Sequence, residues 1–177
     1  MAGWDYLTVD LVDTTNNMID AATAVTTGRL HLSAARDTRA RLLTGDPLAT
    51  GYFRFELGRQ IAAALLSMDA HVIAVYEEQD VPEAEGTSPA SASFDEPLRL
   101  FIEVEHETPV LRTVIDALNE ALSQTIGELL PQRSSGYIEA IVIDDHNRRL
   151  LRPRTNGYHP APILLDSRAL RSEKLTG

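Results

Sequence analysis

Over one short stretch the hydrophobic period of this chain changes from two residues to about 3.6. Leu98, Leu100, Ile102 and Val104 alternate with Arg99, Glu103 and Glu105, with Phe101 the exception, as in a strand that buries one face. From Thr108-Pro109 onward, Leu111, Val114, Ile115, Leu118, Ala121, Leu122, Thr125, Ile126 and Leu129 form one helical stripe, ended by Pro131. Neither element can bury its apolar face alone, so the pair demands a layered fold in which a helix covers a sheet. The helix Thr108–Leu130 spans on the order of 33 Å at 1.5 Å per residue, and it is the natural cover for one sheet face.

A partner strand precedes this pair. His71–Glu78 is apolar on both faces in its middle, at Val72-Ile73-Ala74-Val75, which predicts a strand covered on both sides or one central in its sheet. Between the two strands Gln79–Pro97 is rich in Ser, Ala, Pro and acidic residues, a composition that cannot form a core. Upstream, Trp4, Leu7, Leu11, Met18, Ala22 and Val25 predict a helix stopped at Gly28 and packed on its own domain. A shorter helix is predicted over Ala34–Leu43, capped by Ser33 and stopped by Gly45. Asp46-Pro47 opens a third, continuing through Phe53, Leu57, Ile61, Leu65 and Met68, although Tyr52-Phe53-Arg54-Phe55 also fits a short strand.

Downstream, Tyr137–Ile143 and Arg148–Arg154 predict two more strands around the turn Asp144–Asn147. Pro160 and Pro162 make Tyr158–Leu165 an edge strand or extended arm. The expected organisation is an N-terminal helical segment (1–45), a core domain (46–154) and a basic arm (155–177). The fold class is α+β, a small, mostly antiparallel sheet backed by one long helix.

Composition narrows the function by exclusion. The 177 residues contain no cysteine, so thiolate metal sites, cysteine nucleophiles and disulfides are ruled out. No apolar run approaches the length of a membrane span, which predicts a cytosolic chain with no membrane partner. The net charge is −10, but it is divided: residues 148–177 carry seven of the 16 cations and only two of the 26 acids. An acidic body with a basic end argues against direct nucleic-acid recognition. The pattern suits contact between copies of the chain or docking of an oppositely charged partner, though a solvated tail is the commoner source of it. The interface residues expected from contact are Glu77, Glu78, Asp80, Glu83 and Glu85 on the body and Arg148, Arg149, Arg152 and Arg154 near the basic end.

No catalytic signature is present. Glycine-rich phosphate loops and HExxH are missing, and the five histidines, His31, His71, His106, His146 and His159, share no ligand-like spacing. No enzyme activity, cofactor or metal is therefore expected. One acidic grouping has two readings. Glu103 and Glu105, with Glu77 and Glu78 on the neighbouring strand, either gather at one sheet edge around a divalent cation or are the solvated ends of strands.

The order of elements resembles the tail-terminator or tail-completion proteins of tailed phages and related viruses. The segments carrying the resemblance are Val72–Glu78, Leu98–Glu105 and Val114–Leu130, about a third of the chain. It implies a non-catalytic α+β subunit that forms a homo-oligomeric ring in the tail or neck, is assembled in the host cytoplasm into the virion, and contacts copies of itself and tail-tube or head-connector proteins. The chain departs from that family in the roughly seventy residues before the first strand. The arrangement is also similar to minimal nucleotidyltransferases, but Glu77-Glu78 stands where that family has Gly-Ser. Asp95-Glu96-Pro97 replaces its Asp-x-Asp pair, so this alternative implies a degenerate domain that binds a nucleotide or a protein without catalysis.

Overall fold

The computed structural model describes residues 4–77, 96–129, 137–146 and 163–166. Four helices and four strands follow in the order α1 (Trp4–Arg29), α2 (Ala35–Leu43), α3 (Pro47–Met68), β1 (Val72–Glu77), β2 (Leu98–Val104), α4 (Pro109–Leu129), β3 (Ile138–Ile143) and β4 (Ile163–Asp166). The class is α+β, as the change of period requires. Tyr52–Phe55 lies inside α3 and is not a strand. The expected strand Arg148–Arg154 lies outside the described residues.

The sheet order is β3-β2-β1-β4. β1 pairs antiparallel with β2 and with β4, so β1 is central and, among the described residues, the four of the arm lie at the edge beside it. β2 and β3 are parallel, in register from Leu98↔Ile138 to Glu103↔Ile143. Parallel neighbours need a crossover connection, and α4 supplies it. Two antiparallel pairings and one parallel pairing make the sheet mixed and mostly antiparallel.

One side of the sheet carries the core. Leu98, Leu100, Ile102 and Val104 of β2 and Val72 and Val75 of β1 are buried in one cluster with residues of α1, α2, α3 and α4. Cover is shared: α3 lies against β1, β2 and β4, while Leu111, Ile115, Leu118, Leu122 and Ile126 of α4 complete the core. α1 packs against α3 and α4, as an outer layer. The N-terminal helices thus share the core of the sheet domain, and Met18, Ile19, Ala22 and Leu42 belong to it.

In α1 the buried stripe differs from the predicted one. Val25 is exposed, and Thr15, Thr23 and Thr26 are buried beside Met18, Ile19 and Ala22. These threonines act as branched apolar residues because their hydroxyls are satisfied locally: Thr23 donates to the Ile19 carbonyl and Thr26 to the Ala22 carbonyl, each at 2.7 Å. Thr15 pairs with Thr125 of α4 at 3.3 Å, and Thr27 pairs with Thr38 of α2 at 2.7 Å.

Two helix ends also differ. α1 runs through Gly28 and ends at Arg29, and beyond it the Leu32 amide reaches the Thr27 carbonyl and the His31 amide reaches the Gly28 carbonyl. This pattern needs a left-handed residue at the end, and His31 supplies it with φ of 52°. α2 is capped at Ala34, and Ser33 is not the cap; Asp37 inside the helix reaches back to the Ala34 amide at 3.2 Å. Asp46 caps α3 as its sequence predicts, accepting from the Leu48 and Ala49 amides at 3.0 and 3.1 Å.

Thr50 of α3 is buried with its hydroxyl lacking a hydrogen-bond partner. Replacing it by the near-isosteric valine removes an orphaned polar atom at little cost in shape. Thr50→Val is expected to raise the unfolding free energy by about 1 kcal/mol, measured by urea denaturation.

Candidate functional site

The antiparallel pairing of β1 and β2 brings together residues far apart in sequence. His71 immediately precedes β1 and Glu105-His106 immediately follow β2, so all three fall at the same end of the pair. The Glu105 amide donates to the His71 carbonyl at 3.0 Å, extending the ladder by one bond. The two imidazole rings lie 3.9 Å apart, tilted by 51°. Nδ1 of His71 is 3.7 Å from a Glu105 carboxylate oxygen. One ligand-type atom from each of the three lies within 4.8 Å of the others.

Asp69 holds this corner in place. It ends α3, its amide donating to the Leu65 carbonyl, and its carbonyl accepts from Val72. Its buried carboxylate accepts the His71 amide at 2.9 Å and the Thr108 hydroxyl at 3.0 Å. Thr108 in turn accepts the Leu111 amide at 3.2 Å and so caps α4. The end of α3, the start of β1 and the start of α4 therefore meet on one carboxylate. Met68 and Val110 are exposed on either side of it.

Sequence reasoning passed over this trio because its spacing is not local. The available signal was positional: if β1 and β2 pair as a hairpin, the residue before the first strand and those after the second share an end.

Of the acidic residues expected to gather at a sheet edge, the three described, Glu77, Glu103 and Glu105, do not converge. Glu77 pairs across from Leu100, at the far end of β1 from Glu105, and lies on the helix-facing side of the sheet toward Arg54 of α3. Glu103 is buried on the other side, and its carboxylate accepts the Tyr76 hydroxyl at 2.8 Å. The antiparallel direction of the strands separates these carboxylates, and Glu105 gathers with histidines instead. Arg54 also donates to the carbonyls of Glu96 and Pro97 at 2.8 and 3.3 Å, fastening the entry of β2 to α3. Of the nine expected interface residues, Glu77 is described; Glu78, Asp80, Glu83, Glu85, Arg148, Arg149, Arg152 and Arg154 lie outside the described residues.

Burial pushes the Glu77 carboxyl above its ordinary value of 4.5, and Arg54 offsets part of that rise. The folded chain then holds this proton more tightly than the unfolded chain. Stability is accordingly lost as pH rises from the ordinary value through the raised one, and it is present in full below. Glu77→Gln is expected to raise the melting temperature at neutral pH and to leave it nearly unchanged in acid. Melting curves of both proteins from about pH 4 to pH 8 check this.

The fold defines an α+β domain with a histidine and carboxylate cluster at one corner of its sheet. No family model, curated protein or solved structure matches the chain. Among the described residues, no helix is long and apolar enough to cross a membrane.

Proposed function

We propose that the chain is a structural subunit that assembles with copies of itself into a ring, of the kind found in the tail or neck of a tailed virus. The observation carrying this reading is the placement of exposed apolar side chains at the two ends of α3. Leu43 and Leu48, 59% and 56% exposed, flank the turn between α2 and α3. Met68 and Val110, 41% and 64% exposed, flank the other end, where α3 meets α4. Leu48 and Met68 are separated along the helix by about 30 Å. Two different apolar spots at opposite ends suit head-to-tail contact, which closes into a ring when the rotation between neighbours permits. The acidic body and basic end supply the complementary charge that sets the direction of such a contact.

The test is native mass by light scattering at low and high salt. A discrete oligomer is expected for the natural chain. Leu48→Glu and Val110→Glu each block one end, so each alone is expected to be monomeric and an equimolar mixture to yield dimers. A natural chain that stays monomeric at all concentrations and salts overturns the reading.

A further inference from the structure

We propose that His71, Glu105 and His106 bind a divalent transition-metal ion of the zinc class, with one coordination position open to water or to a donor from outside the chain. Two imidazoles and one carboxylate form a mixed nitrogen and oxygen set. Zinc, cobalt and nickel accept such a set, whereas magnesium and calcium prefer oxygen alone. Three protein ligands with a vacant fourth position is a recurrent arrangement for zinc.

The geometry needs little adjustment. The three ligand atoms lie within 4.8 Å of one another. A tetrahedral ion with bonds of about 2.0–2.1 Å holds its ligand atoms about 3.3–3.4 Å apart, so closure takes about 1.5 Å at most. Side-chain torsions alone supply that movement, because Glu105 and His106 are exposed and His71 is partly so. The backbone beneath is already fixed, by the bond from the Glu105 amide to the His71 carbonyl and by the Asp69 carboxylate on the His71 amide. A simple ion pair between His71 and Glu105 accounts for two of the three residues. The His106 ring packs on His71 without joining that pair, whereas a shared ion uses all three. Bound there, the ion ties the start of β1 to the end of β2. The inference stands apart from self-assembly, since all three ligands come from one chain.

The experiment is calorimetric titration of zinc into the full chain, stripped of metal, with magnesium as the comparison ion. One saturable zinc site is expected, and no response to magnesium. His106→Ala and Glu105→Gln alter exposed side chains and are expected to leave the circular-dichroism spectrum unchanged; each is expected to weaken zinc by about tenfold or more. His146→Ala, at an exposed histidine in the turn after β3, is expected to bind as the natural chain does. With cobalt, the visible bands of a tetrahedral site are expected in the natural chain and absent from His106→Ala. Absence of saturable zinc binding, or binding undiminished in His106→Ala, overturns the proposal.

Discussion

Asp69→Ala is expected to cost about 3–5 kcal/mol of folding stability, because the buried carboxylate serves two elements at once and hydrogen bonds to a charged group contribute about 1.5–3 kcal/mol each. The substitution strands the His71 amide and the Thr108 hydroxyl together. It also frees the group that caps α4, since the Thr108 hydroxyl is oriented by Asp69 while it accepts the Leu111 amide. Asp69→Asn keeps an acceptor oxygen for one partner and is expected to lose roughly half as much. Urea denaturation of the three proteins measures this. A loss below about 1 kcal/mol in the alanine variant would mean that the corner is held by packing alone.

Asn119→Ala is expected to cost about 2–4 kcal/mol, a large penalty for one partly buried polar residue, because two backbone donors lose their acceptor. The side-chain oxygen of Asn119, on α4, accepts the amides of Tyr137 and Ile138, each at 2.8 Å. Those amides open β3, and the Tyr137 carbonyl accepts the Leu98 amide at 2.7 Å. One side chain thus sets where the crossover helix releases the chain into the parallel strand. Asn119→Asp retains an oxygen acceptor and is expected to recover most of the loss above the carboxylate's titration range. Equal destabilisation by the alanine and aspartate variants would rule out this acceptor role.

Much of the fold was legible because its cues are local. The switch of period at Thr108 locates β2 and α4 within a residue or two of their observed ends, and Asp46-Pro47 marks the start of α3. The failures at Ser33 and Gly28 share a cause. Each end is satisfied by a residue with weak intrinsic preference for the position, Ala34 with help from Asp37 and His31 in a left-handed conformation, so the stronger local candidates beside them misled. The stripe of α1 was misplaced because threonine counts as polar in a pattern. Its hydroxyl disappears into the preceding turn once the helix forms.

The candidate site was largely illegible. His71 and His106 lie 35 positions apart, and nothing in either neighbourhood distinguishes them from a surface histidine. The described carboxylates that looked clustered were divided between the two faces and two ends of the sheet by strand direction and by the register that sets Glu77 opposite Leu100 and Glu103 opposite Ala74.

By itself, then, the order of residues determined the elements, their approximate bounds, the apolar faces of β2 and α4, the α+β class and the division of charge. All of these are properties of neighbours in the chain, written in periods of two and 3.6 and in the chemistry of caps. Only the tertiary structure decided that β1 lies between β2 and β4, that β2 and β3 run parallel, that α1 rests on α3 and α4, and that Asp69 and Asn119 join elements remote from them. It also decided that two histidines and a glutamate meet. Such contacts are made between segments whose meeting depends on loop closure and on competition among all possible pairings, which no local pattern records.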